Sequence, residues 1–131
     1  MSVFPIGKSN DGFAQYFKGQ SYLNMLSIAQ VVIGNVTFEP GCRNNWHIHH
    51  ADKGGGQILL VTAGRGYYQE YGCESRELHP GDVVNIPANV KHWHGAAPNE
   101  WFQHLAVEVP GENCNIEWCE PVSDEDYGKL K

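Results

Sequence analysis

Apolar and polar positions along this chain alternate in short runs far more often than they recur at helical spacing. Runs rich in Val, Ile, Tyr and Trp follow one another, each closed by Gly, Pro or Asn. "NVTFE" ends at Pro40-Gly41, "QILLVTA" at "GRG", "GYYQEY" at Gly72, "SREL" at "HPGD" and "VVNI" at "PANV". With "WHIHH", "KHWHG", "WFQHLAVEV" and "NIEWCE" they predict a succession of strands, and strands at this spacing make a sandwich or a barrel. "SNDGFAQYFKGQSYLNM" is less regular and is expected to lie as an arm over that barrel. The tail "PVSDEDYGKL" reads differently: Ser123 stands three residues before Asp126, acidic residues fill the first turn, and a short C-terminal helix is predicted.

Strand alternation has a consequence for the histidines. Side chains two apart on a strand share a face. His47 and His49 therefore point together, as do His92 and His94, while His104 shares its face with Phe102 and Ala106. Five of the seven histidines can converge on one interior. A buried imidazole needs a partner for each ring nitrogen, and hydrogen bonds alone satisfy five such groups poorly, so a bound cation is the simplest common solution. His50 and His79 are expected in loops. Trp46, Ile48 and Trp93 fall on the opposite face, where two indoles need cover from the N-terminal arm or from a second subunit.

Length and charge narrow the setting. A chain of 131 residues has the size of one ordinary domain, divided here into an N-terminal arm and first strands (1–34), a barrel core (35–120) and a tail (121–131). Nine basic residues against fifteen acidic ones, with no basic run, argue against nucleic acid or an anionic membrane as partner. The N-terminus has no apolar stretch of signal-peptide length and nothing approaches a membrane-spanning run, so the cytoplasm is the expected compartment. Cys42, Cys73, Cys114 and Cys119 form no Cys-x-x-Cys pair and are expected as free thiols.

Two stretches match a known pattern. Gly41, five residues, His47 and His49, a spacer, then Gln57, six residues and Gly64 resemble the first motif of the cupin superfamily. "GDVVNIPANVKHWHGA", with Gly81, Pro87 and His92, resembles the second. Within the superfamily, "VTFEPGCRNNWHIHH", "ILLVTAGRGY" and "HLAV" are most similar to small cupins allied to carboxymuconolactone decarboxylases and to the manganese-dependent bacterial hydroxynitrile lyases. The resemblance implies an all-β jelly-roll barrel, a homodimer, and a mononuclear metal held by His47, His49, Gln57 and His92. Three departures stand out. Glutamine replaces the usual glutamate, as in the similar hydroxynitrile lyases, and three imidazoles and an amide would leave the ion's charge uncompensated. The spacer "HADKGGG" is several residues longer than usual, which makes Asp52 the alternative fourth ligand. Asn89 replaces a glycine, a mild change because asparagine tolerates positive φ.

Nitrogen-rich ligation suits manganese, iron, cobalt, nickel, copper or zinc, and affinity order alone does not choose. Manganese or iron is expected by resemblance, with zinc, nickel or cobalt as substitutes. Positions beyond four protein ligands would stay open, as catalysis requires. By the same resemblance His104 and His94 lie beside the metal, where a proton donor or acceptor works; for either, the alternative is a hydrogen bond that orients a ligand. The expected activity is that of a metal-dependent lyase on a small oxygenated substrate. Iron-dependent oxygen chemistry and non-catalytic binding of a small metabolite are the alternatives.

Overall fold

The structure, a computed structural model, describes residues 2–131, and its regular elements are mostly antiparallel strands. Six strands form one sheet in the order Lys8–Ser9, Ser21–Ser27, Ile33–Phe38, Phe102–Glu108, Gln57–Gly64, Val83–Ile86. The other sheet runs Arg76–Leu78, Gly66–Glu70, Lys91–Ala96, Arg43–Asn44, Phe17–Lys18. His47–His50 joins it by pairing with Lys91–Ala96 on one side and Asn115–Trp118 on the other. Every run that the alternation marked as a strand is one. Ser21–Ser27, in the segment expected as an arm, is also a full strand hydrogen-bonded to Ile33–Phe38.

The two inner faces meet in one core. Leu59 and Val61, on the buried face of Gln57–Gly64, pack with Phe38, Val84, Phe102 and Ala106 of their own sheet and with Tyr68, Leu78 and Ala96 of the other. Such face-to-face packing of antiparallel sheets makes the jelly-roll barrel expected from the sequence.

A second cluster lies outside the barrel and corrects an expectation. Trp46 and Trp93 are 8% and 1% exposed, and their cover is the C-terminal segment, through Val122 and Tyr127, rather than the N-terminal arm. That segment carries the short helix Asp124–Tyr127, whose N-cap Ser123 hydroxyl accepts from the Asp126 amide. Tyr127 donates to the Ala96 carbonyl at 2.5 Å, and the Arg43 guanidinium lies 4.0 Å over its ring while pairing with Asp124 at 2.7 Å. The tryptophans are thus enclosed within one chain.

The longer spacer also has a structure. Lys53–Gly54 pairs with Gly111–Glu112, and Gly54, Gly55 and Gly56 all take positive φ on the way back into the barrel at Gln57. Asn89 sits at φ 68°, as its place in a glycine position required. The four cysteines are free. No helix among the described residues is long and apolar enough to cross a membrane.

Candidate metal centre

Register and alternation assemble three histidines. His47 and His49 point inward from one strand, and His92 is the direct cross-strand partner of His47. Ring centroids lie 4.2 Å apart for His47 and His92, 5.3 Å for His47 and His49, and 5.4 Å for His49 and His92. One nitrogen from each falls within 4.8 Å of the others, and all three residues are buried.

Each ring is turned the same way. His47 Nδ1 donates to the Asn45 carbonyl at 2.8 Å and His92 Nδ1 to the Val90 carbonyl at 2.9 Å, since a carbonyl only accepts. His49 Nδ1 lies 3.7 Å from a Glu108 oxygen. Those contacts leave Nε2 as the lone-pair nitrogen. His49 Nε2 and His92 Nε2 are buried with no hydrogen-bond partner. Burial, reinforced by the neighbouring histidine His92, holds His47 well below the ordinary imidazole value; burial also lowers His49 and pushes His92 down to about 4. Three neutral imidazoles with unspent lone pairs are what a divalent ion needs, and leaving them bare costs folding free energy.

Gln57 enters from the neighbouring sheet on the face that it shares with Leu59 and Val61. Its amide Nε2 donates to Glu108 at 2.5 Å, so the oxygen is the uncommitted end, and Gln57 Oε1 is a further buried atom without a partner. The donor set therefore fits a cation. Asp52, the alternative ligand, lies elsewhere: it is exposed, accepts from Asn113 at 2.6 Å and is absent from the cluster, because the Lys53–Gly54 pairing folds the spacer outward.

His94 and His104 form a second group beside the first. His104 Nε2 lies 3.2 Å from His94 Nδ1, and the His94 ring is centred 5.7 Å from His47. Asn44 locks His94 by accepting from its backbone N–H at 2.9 Å and placing its amide nitrogen 3.3 Å from His94 Nε2. Burial pushes His104 down to about 4, and burial with the neighbouring His104 holds His94 well below its ordinary value. His104 Nδ1 has no partner. His50 instead pairs with Glu117 at 2.7 Å from a strand end rather than a loop, and His79 sits in a turn against Asp82.

A cavity of about 620 Å³ opens onto both groups, reaching His47, His49, Gln57, His94 and His104. One wall is aromatic. Trp118 stacks on Tyr16 with ring centroids 4.4 Å apart, stands 4.6 Å from His47, and has Phe13 and Phe17 each at 6.4 Å. Leu23 and Val36 line the cavity as well. The sequence reading missed Trp118, Asn44 and Glu108. Glu108 alone had a signal there, the alternation that already aligned Phe102, His104 and Ala106.

A family model described as "Cupin domain" matches residues 34–107. The (R)-mandelonitrile lyase of Granulicella tundricola is 42% identical over 123 residues, covering 91% of each protein. The crystal structure of a cupin-like protein from Thermotoga maritima superposes with a TM-score of 0.86 at 38% identity, covering 100% of this chain and 98% of that one. A predicted oxalate decarboxylase from Thermotoga maritima, at a TM-score of 0.63 and 19% identity over 71% of this chain and 83% of its own, shares the fold.

Proposed function

This chain belongs to the cupin family, and from that premise we propose that it is a metal-dependent lyase which splits an aromatic cyanohydrin into an aldehyde and hydrogen cyanide. The observation that carries the reading is the pairing of unspent, neutral ligand nitrogens on His47, His49 and His92 with a separate His94–His104 couple that the ligand set does not use. Likeness to an (R)-mandelonitrile lyase over nine-tenths of the chain supports the substrate class. His47, His49 and His92 would hold the ion through Nε2 and Gln57 through Oε1; manganese or iron is the proposed metal. When bound, it supplies a Lewis acid for an oxygen-bearing or anionic ligand.

The remaining work falls to the protein. Trp118, Phe13 and Phe17 receive the aryl group, and Leu23 and Val36 exclude water from it. The His94–His104 couple, neutral because it is buried, accepts the hydroxyl proton. The electron pair of the O–H bond then forms the second carbon–oxygen bond, the carbon–carbon pair leaves with cyanide, and the proton follows to give hydrogen cyanide. Asn44 keeps His94 oriented throughout.

Benzaldehyde release from mandelonitrile, followed by absorbance at an acid pH where spontaneous breakdown is slow, tests the reading. Protein loaded in turn with manganese, iron, cobalt, nickel and zinc should exceed background with at least one ion. No rate above background with any of them sinks the lyase assignment, and oxygen uptake with catechols would then test the oxygenase alternative. A homodimer is proposed on family resemblance alone, because the tryptophans first considered for its interface are covered within the chain; light scattering at micromolar concentration checks it.

A further inference from the structure

We propose that Glu108 is a positioning residue for the candidate metal centre: it restores, one side chain behind Gln57, the negative charge that a glutamine ligand lacks. This inference rests on the metal-centre reading above. Gln57 and Glu108 are direct partners in the ladder between Gln57–Gly64 and Phe102–Glu108, so their side chains leave neighbouring backbone on the same face. One Glu108 oxygen accepts from Gln57 Nε2 at 2.5 Å, and the other lies 3.7 Å from His49 Nδ1. Glu108 thus touches two of the four candidate ligands, each on the side away from its lone-pair atom.

Two effects follow from that placement. A carboxylate only accepts, so it fixes which end of the Gln57 amide faces it and leaves Oε1 as the free end. Without it the amide can turn over and present N–H groups, which repel a cation. The carboxylate also draws proton density from the Gln57 amide that donates to it, and its charge beside His49 favours the proton on Nδ1, which leaves Oε1 and Nε2 as the electron-donating atoms. A dipositive ion held by these four neutral ligands would then find its counter-charge fixed behind the ligands rather than on one of them.

The test uses manganese(II) as probe and three readouts: its dissociation constant by competition with a fluorescent chelator, the melting temperature of the metal-free protein, and that of the loaded protein. Partners of this kind typically govern metal affinity by about 10–100-fold. Glu108→Gln is isosteric and keeps a group opposite Gln57, so it should weaken manganese binding by roughly that factor and leave the metal-free melting temperature nearly unchanged. The exchange Gln57→Glu with Glu108→Gln keeps both the charge and the cross-strand hydrogen bond and should recover most of the loss. Unchanged affinity in Glu108→Gln overturns the proposal, as does a loss that the exchange fails to recover. A metal-free protein destabilised as much as the loaded one would make Glu108 merely structural and overturn it too. His92→Ala serves as the control: full manganese affinity in that variant would defeat the metal-centre reading itself, whereas its loss beside an unaffected Glu108→Gln defeats this inference alone.

Discussion

His104 is fully buried, shares one ring nitrogen with His94 and has nothing on the other, in a cavity that also reaches the candidate ligands. His104→Ala should therefore keep the fold and the metal while turnover falls by about 100-fold or more, the usual cost of losing a positioned acid or base. Metal analysis beside the mandelonitrile assay checks it; unchanged turnover in loaded protein transfers the role to His94. The shared facing of His47 with His49, of His92 with His94, and of His104 with Phe102 and Ala106 was legible in the sequence because strands impose a period of two. Gln57 was reached only through the resemblance to the cupin motif, by its spacing to Gly64, with Asp52 left as the alternative. Glu108 obeys the identical period, on the face of Phe102, His104 and Ala106, at the end of the strand. Asn44 and Trp118 acquire their roles from cross-strand and cross-sheet neighbours, and nothing local announces those.

At the scale of elements, the succession of strands along the chain followed from alternation and turn residues, the jelly-roll from the family resemblance, and the short final helix from its Ser123 cap. Ser21–Ser27 escaped notice because "SYLNMLS" mixes polar residues into both faces, of which one is the cavity wall carrying Leu23 and Met25. The spacer before Gln57 was visible as an irregularity in motif spacing, yet its outward fold depends on pairing with Gly111–Glu112, far along the chain. Its return into the barrel is tightly constrained. Gly56 has φ 88°, and a Cβ there would stand 2.4 Å from the Ile86 carbonyl oxygen and 2.9 Å from the Ala88 amide nitrogen. Gly56→Ala should destabilise the protein by about 1–3 kcal/mol and, by displacing Gln57, weaken metal binding as well. Urea unfolding with and without manganese measures both effects. A fully stable variant that binds manganese normally would show that the strand entry yields easily.

Taken as a whole, the molecule buries several imidazoles in their neutral form, and this makes its stability depend on pH in a definite direction. His104 titrates near 4 when folded and near 6.5 in the unfolded chain. Between those values the unfolded chain binds the extra proton, so stability is complete above about pH 6.5 and declines as pH falls toward 4. His104 alone contributes up to about 3 kcal/mol to that decline. Thermal unfolding of metal-free protein from pH 7 to pH 4 should show the loss, with a shallower slope in His104→Gln; equal slopes would mean that other groups dominate.

Trp118, stacked on Tyr16 and in contact with His47, also gives the protein an optical property. Its indole is the one tryptophan at the candidate centre: Trp46 and Trp93 lie in the outer cluster, and Trp101 sits beside Tyr22. An ion with unpaired electrons, arriving against His47, would shorten the excited state of Trp118 and dim the intrinsic emission. Diamagnetic zinc at the same place would leave the emission far brighter. The protein thus reports its own loading in real time without a dye, and Trp118→Phe should silence that report while the ion still binds.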